Sequence, residues 1–352
     1  MFERIPSEAK DPLQSEVPSP SKPALSEVEG RLGTRTVDLS ILIVTWNSER
    51  WIERCLRSIP AACQGLEYEV VVHDNASEDR TLSIVGGTDA RVLRSTVNDG
   101  FAAGTNRAIG VARGRYVFLL NPDCELEARA LTLLFEFLES HPNVAAAAPL
   151  LIDESGHSQR HFQLRRLPTL RNLASEVLLL DKLFPKNATT AHYRYRDLDL
   201  TEPRPIEQPA AAALLLRREV MDDVGAFDEN FAPAWFEDVD YCRRLAEKKK
   251  EVWVVPAARV THFGGASLEH MRFGRFTEVW YGNMWRYARK WLRPGQAEML
   301  RWVIIVGMVL RLIAGIFGMR PRGIERREAF RAYTAVLKRA MDRWHEPSRS
   351  SS

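Results

Sequence analysis

The sequence has only four cysteines, at positions 55, 63, 124 and 242, and none stands in a C-x-x-C spacing. Zinc ribbons, thioredoxin-type redox sites and a dense disulfide framework therefore lack support, and a reducing, cytosolic setting is expected. There is also no G-x-x-x-x-G-K-[ST] run and no G-x-G-x-x-G after the first apolar run. P-loop ATP hydrolysis and nicotinamide binding lose the glycine cradle that each needs. No basic start leads into an apolar run, so a secretory signal is not expected.

Net charge is low, +3 over 352 residues, but unevenly spread. Residues 1–30 carry six acids against three bases, residues 301–352 eleven bases against four acids, and the 270 residues between hold −1. A neutral body excludes a nucleic-acid-binding surface as the main function, whereas the basic C-terminal part suits an anionic lipid surface. With 45% hydrophobic and 27% charged residues the balance is that of a folded protein. Collagen-like, wholly disordered and polytopic membrane classes are excluded on that ground.

Residues 1–37 hold five prolines among serines and glutamates with no sustained apolar period, which reads as a flexible leader. From residue 39 short β-rich runs alternate with helical segments. They run from LSILIVTW (39–46) and a helix over 48–59 through YEVVVHD (68–74), a short helix near 79–85 and RVLR (91–94). Then come a helix near 101–113, YVFLL (116–120), a helix near 127–140 and VAAAAPLL (144–151). This alternation predicts parallel βαβ units with helices on both faces, and ligands at the carboxyl ends of the strands. Residues 152–206 show no regular period. Order returns at 210–220, followed by a helix near 238–248, a strand at 251–255 and a run to Phe263. Phe276, Trp280, Met284, Tyr287 and Trp291 recur at helical spacing, as the core face of a helix does. The most hydrophobic stretch, 302–319, is interrupted by Arg311 and followed by Arg320, Arg322, Arg326 and Arg327. It is borderline for spanning a bilayer, which takes about 20 apolar residues, and a helix lying in the interface fits better; a buried core helix is the alternative.

Polar clusters fall at the predicted strand ends. Thr45 and Asn47 close the first, and Asp74, Asn75 and Ser77 the second, a pattern able to hydrogen-bond a base and a ribose, although such residues also cap helices. Asn98, Gly100, Gly104 and Asn106 sit where a strand meets a helix, and a helix start with glycines admits phosphate. Asn121-Pro122-Asp123 ends a buried run and presents a carboxylate for Mg²⁺ or Mn²⁺, or a simple turn. Glu237, Asp238 and Asp240 crowd beside Trp235 and Phe236, where mutual repulsion would raise a pKa and suit a general base. His262, before Gly264-Gly265-Ala266-Ser267, is a candidate to complete a metal shell.

The ordered set ILIVTWN, VVHDNASED, NDGFAAGTN, LLNPD and WFEDVDYC, with VTHFGGAS trailing, resembles family 2 glycosyltransferases of the GT-A fold, in the bacterial rhamnosyltransferase-like branch acting on cell-surface polysaccharides. The resemblance covers roughly 39–292 and implies a Rossmann-like α/β fold with a mostly parallel central sheet. It implies a GT-A domain over 38–270; composition adds the expectation of a leader over 1–37 and a helical, basic, membrane-associated extension over 271–352. The resemblance also implies that Thr45, Asn47, Asp74, Asn75, Asn98, Gly104 and Asn106 meet the nucleotide part of a UDP- or dTDP-linked sugar. Asp123 would match the second aspartate of the family's Asp-x-Asp motif, whose first position is here Asn121, and with His262 would hold Mg²⁺ or Mn²⁺. Asp238 would match the catalytic base of inverting members, supported by Glu237. The alanines 210–213 stand where the family often has a glycine, and would reshape the acceptor or donor-sugar pocket. The acceptor implied is a glycan or lipid-linked hydroxyl, the location the inner face of the cell membrane as a peripheral protein, and no nucleic acid is a partner. Two other classes are weighed: a non-catalytic nucleotide-binding scaffold, favoured by Asn121, and a sugar nucleotidyltransferase, disfavoured because no glycine-rich loop follows the first strand.

Overall fold

Short apolar runs too small to bury themselves singly are stacked here into one sheet. The computed structural model describes residues 37–184, 187–264 and 271–344; the expected leader lies outside them but for Val37, as do Gly265, Ala266 and Ser267. The first elements alternate as β1 (Leu39–Thr45), α1 (Ile52–Ala62), β2 (Tyr68–Asp74), α2 (Thr81–Val85), β3 (Arg91–Arg94), α3 (Phe101–Val111) and β4 (Tyr116–Leu120). They are followed by β5 (Cys124–Leu126), α4 (Ala130–Ser140) and β6 (Val144–Ile152). The irregular stretch resolves into α5 (Arg160–Gln163), β7 (Leu164–Arg165), α6 (Leu170–Val177), α7 (Leu180–Leu183), α8 (Ala188–Tyr193) and β8 (Arg204–Ile206). Elements this short have too few turns to show a period, which is why the sequence does not reveal them. Beyond them lie β9 (Gln208–Pro209), β10 (Ala213–Arg217), α9 (Arg218–Val224), a 3₁₀ turn (Glu229–Phe231), α10 (Glu237–Glu247) and β11 (Glu251–His262). Three helices follow, α12 (Phe273–Trp291), α13 (Pro294–Ile316) and α14 (Arg326–Met341).

Among the described residues the sheet has nine strands in the order β3-β2-β1-β4-β10-β6-β11-β5, with β8 also on β11. β3, β2, β1 and β4 run parallel, as do β6 and β11, while β10 is inserted antiparallel between β4 and β6. The sheet carries a buried apolar cluster on each face, one built round Ile41, Ile43, Phe118 and Leu131, the other round Leu42, Val71, Leu119 and Tyr241. Strands buried on both faces read as continuous apolar runs, which accounts for YVFLL, all five residues of which are buried.

β6 and β10 are alanine- and leucine-rich, a composition that favours helix; here position between neighbouring strands overrides propensity. The run 251–255 and the run that follows it up to His262 form one strand, β11, with its register on β6 shifting between Val255 and Arg259. A third cluster joins α12, α13 and α14 to Leu173 and Val177 of α6 and to Phe231, Phe236 and Val239 beside α10. The C-terminal helices therefore pack against the segment that carries the candidate catalytic acids.

Candidate active site

A cavity of about 750 Å³ opens at the carboxyl ends of β1, β2 and β4. Its walls include Thr45 and Trp46 after β1, Asn75 after β2, Asn98 after β3, Asn121 and Pro122 after β4, and Glu237 and Asp238 at the start of α10. Ligand placement at such strand ends is the rule for open α/β sheets.

Two distant loops are stitched together at its rim. Gly100 adopts φ +96°, and a Cβ there would lie 2.6 Å from the carbonyl oxygen of Pro233. The N–H of Phe101 donates to that same oxygen at 2.7 Å. Further along the second loop, Trp235 and Phe236 take φ of 71° and 74°, a region side chains other than glycine rarely occupy. Asn283 of α12 is buried, and its amide donates to the carbonyls of Phe231, Ala234 and Trp235 at 2.9, 2.9 and 3.0 Å.

On the nucleotide side, Thr45 Oγ1 donates to Asp74 Oδ1 at 2.9 Å, and Asp74 also accepts from the Ser77 hydroxyl at 2.6 Å and the Ser77 N–H at 2.9 Å. Asp74 is thus buried behind the wall, holding the Asn75–Ser77 turn, while Thr45 and Asn75 line the cavity. Asn75 Nδ2 donates to Gly100 O at 3.1 Å, and its buried Oδ1 has no hydrogen-bond partner among the described residues. Asn98 lines the cavity and caps the Gly100 N–H at 3.0 Å. Asn47, at φ 48°, accepts from the Glu78 N–H at 2.8 Å and orders the loop from the side.

Two more expected nucleotide ligands, like Asp74 and Asn47, stand outside the cavity wall and do other work. Gly104 is buried, and a Cβ there would stand 2.8 Å from the His73 ring and 2.9 Å from Val44, so its glycine lets α3 press onto β1 and β2. Asn106 pairs with the backbone of Phe227 through both side-chain atoms, at 2.9 Å each, and donates to Glu229 at 2.8 Å. It anchors the loop before α10 and has no place in the cavity wall.

The acids separate into three roles. Asp238 is part-exposed in the cavity, with Oδ2 accepting from Ala211 N–H at 3.3 Å and from the Gln208 amide at 3.4 Å, and Oδ1 from Val239 N–H at 2.8 Å. Burial pushes its pKa up, while those N–H groups and the Arg165 charge pull the other way. Glu237 is buried, its Oε2 has no hydrogen-bond partner among the described residues, and burial first and the Asp238 charge second hold its pKa well above the usual range. Repulsion among three carboxylates is therefore not the main cause. Asp240 leaves the cluster altogether, fully buried and paired with Arg244 at 3.1 Å and Lys290 at 2.8 Å, with Trp291 Nε1 donating at 2.8 Å. It ties α10 to α12.

Asp123 and His262 are brought side by side by strand pairing, since β5 sets His262 opposite Cys124. The imidazole Nε2 lies 3.7 Å from Asp123 Oδ2, and both residues are buried. Nδ1 is engaged by Gln159 at 2.9 Å, the Phe162 ring stacks on the imidazole at 5.0 Å, and burial lowers the pKa, favouring the neutral ring. One carboxylate oxygen and one neutral imidazole nitrogen form a donor set that fits Mn²⁺ or Mg²⁺, manganese accepting the nitrogen more readily. Cys124, within 4.8 Å of both, is a poor third ligand because its thiol faces the Ala212 carbonyl at 3.5 Å and burial pushes its pKa well up.

Several cavity residues escape sequence reading. Arg165, Glu176 and Tyr193 come from the aperiodic stretch and Gln208 from just before β10, whereas Ala210–Ala212, already singled out in the sequence, also line the wall. The aromatic stripe of α12 divides: Met284 and Tyr287 are core, whereas Phe276 and Trp280 line the cavity, with Trp235 edge-on to Phe276 at 5.0 Å.

Residues 40–224 match the sequence model of Glycosyl transferase family 2. Among relatives, the N-acetylglucosaminyl-diphospho-decaprenol L-rhamnosyltransferase of Mycobacterium tuberculosis is 28% identical over 237 residues, covering 64% of this chain and 75% of the relative. The succinoglycan biosynthesis protein ExoO of Rhizobium meliloti is 30% identical over 145 residues, 38% of this chain and 40% of the relative. Among solved structures, GalNAc-T7 with UDP, GalNAc and Mn²⁺ superposes with a TM-score of 0.53 at 14% identity, over 88% of this chain and 56% of that one, a likeness of fold. The expected GT-A architecture is thereby met.

Proposed function

From the premise that this chain belongs to glycosyl transferase family 2 and is a glycosyltransferase of glycan synthesis, we propose inverting transfer of a sugar from a UDP- or dTDP-linked donor, such as rhamnose, to a hydroxyl of a glycan or lipid-linked acceptor. The observation that carries this reading is Asp238, part-exposed in a strand-end cavity with its carboxylate fixed by Ala211 and Gln208. The rhamnosyl donor and lipid acceptor are supported by the name of the mycobacterial relative.

In the proposed displacement an acceptor oxygen attacks the anomeric carbon, the bond from that carbon to the donor diphosphate breaks, and the acceptor proton passes to Asp238. A positioned base contributes about 10² to 10⁴-fold. Burial and the Asp238 charge raise the pKa of Glu237, which favours a neutral carboxyl beside the base rather than a second base. Asp123 and His262 would hold a divalent cation, which when bound supplies positive charge to the leaving diphosphate. Thr45, Asn75 and Asn98 face the volume where the nucleoside would sit. Phe276, Trp280 and Trp235 offer apolar faces on the acceptor side.

The test is thermal unfolding with UDP, dTDP, GDP or ADP, each with and without Mn²⁺ or Mg²⁺. At 100 times its dissociation constant the right nucleotide adds about 2.7 kcal/mol of stability. We expect UDP or dTDP to stabilise only with metal, and Asp123→Ala to lose that stabilisation. Absence of a shift with every nucleotide would overturn the donor assignment.

A further inference from the structure

α13 is apolar on two opposite sides. Ala297, Leu300, Ile304 and Met308 are buried against the neighbouring helices, with Gly307 close to Val177 of α6 and Gly315 close to the Phe330 ring of α14. Met299, Trp302, Val306, Val309, Leu310, Ile313 and Ile316 are exposed, Trp302 by 58% and Ile316 by 61%. At 100° per residue these exposed positions fall within an arc of about 120° centred opposite the buried set. Arg311, which interrupts the run in sequence, turns to the packed side and donates to the Gly307 carbonyl at 3.0 Å. The outer arc is thus free of charge from Met299 to Phe317.

That arc ends in a basic corner. Phe317, 77% exposed, and Met319 lead into exposed Arg320, Arg322, Arg326, Arg327 and Arg331. An apolar strip bordered by cations on one side is the pattern of a helix lying in a bilayer interface, apolar residues entering the acyl boundary and arginines meeting anionic headgroups. A second copy of the chain would cover the apolar strip but leaves the adjoining arginine cluster unexplained, and in a parallel two-fold contact the two clusters would repel. The helix is long and apolar enough to cross a membrane, but crossing would strip it from the core it shares with α6, α12 and α14.

We propose that the outer face of α13, with the arginines between α13 and α14, docks this enzyme on an anionic lipid surface. The docking stands apart from the donor reading, though it fits a lipid-linked acceptor. Glu176 in the cavity wall and Val177 against Gly307 are neighbours on α6, so one helix separates the lipid-facing element from the cavity.

The full chain is sedimented with vesicles of phosphatidylcholine alone or mixed with phosphatidylglycerol, at low and high salt. Wild type should pellet with the anionic vesicles, less so at high salt. The pair Trp302→Glu with Ile313→Glu, and the pair Arg320→Glu with Arg322→Glu, should each weaken binding roughly tenfold or more. Both exposed-site pairs should keep the wild-type Tm and the wild-type nucleotide-induced shift, which separates failed docking from failed donor binding. The proposal is overturned if wild type stays in the supernatant, or if the apolar pair binds as tightly as wild type. It is equally overturned if Trp302→Glu dissolves a stable dimer, or if the membrane-bound protein resists alkaline carbonate extraction as a spanning helix would.

Discussion

Gly100 and Pro233, more than 130 residues apart in the chain, meet so closely that a Cβ on Gly100 would lie 2.6 Å from the Pro233 carbonyl oxygen. This approach joins the loop after β3 to the loop before α10, and hence the nucleotide side of the cavity to its acids. The substitution Gly100→Ala adds a clash to a φ of +96°. Strained positions of this kind cost about 1 to 3 kcal/mol. Differential scanning calorimetry should show a Tm lowered by several degrees, and transfer should fall with it.

Asp238→Asn should remove transfer while leaving donor binding nearly unchanged, because the amide keeps the shape of the carboxylate but takes up no proton. Nucleotide thermal shift and a sugar-transfer assay on the same preparation make the comparison. Transfer at the wild-type rate would show the base to lie elsewhere. In wild type the acid limb of kcat/KM should sit above the ordinary aspartate value of about 3.9, since burial raises the pKa of Asp238.

Glu237 gives the opposite sign in stability. Its folded pKa is raised by burial and by Asp238, so below the unfolded value of about 4.3 both states hold the proton and the raised pKa is fully stabilising. As pH rises from there to the folded pKa, the unfolded chain ionises first and that stability is lost. Glu237→Gln should therefore raise Tm by a few degrees near neutral pH and lose the advantage near pH 4, about the unfolded pKa. Urea midpoints at the two pH values would decide the matter, and an advantage unchanged by pH would refute burial as its cause.

Asn283→Ala should slow transfer by about tenfold through the released carbonyls of Phe231, Ala234 and Trp235, a buried acceptor left unsatisfied costing about 1 to 3 kcal/mol. The effect should appear in kcat more than in nucleotide binding, since Asn283 positions the loop that leads into the acids of α10 and touches no part of the nucleotide side. Equal losses in both would point to general unfolding instead.

How far the sequence speaks depends on the range of the interaction involved. Strand-end residues such as Thr45, Asn75 and Asn98, and Asp238 at a helix start, are legible because an element's end and its polar tip are adjacent in the chain. Asp123 and His262 were each visible as single residues, yet only the pairing of β5 with β11 makes them neighbours. Gly104 and Asn106 misled for the same reason in reverse: glycine and asparagine at a helix start suit phosphate, and nothing local reveals that Val44, His73 and Phe227 already claim them.

The sequence by itself determined the alternating strands and helices, the polar residues at their ends and the apolar run with its basic flank. These are properties of local composition and period, set within a few turns of chain. Only the tertiary structure decided that Asp240 is a strut and Asp238 a cavity wall, that α12 divides its aromatics between core and cavity, and that α13 keeps an uncharged outer face. Each of these follows from which partners arrive from far along the chain, because burial and pairing, unlike period, are not carried by neighbouring residues.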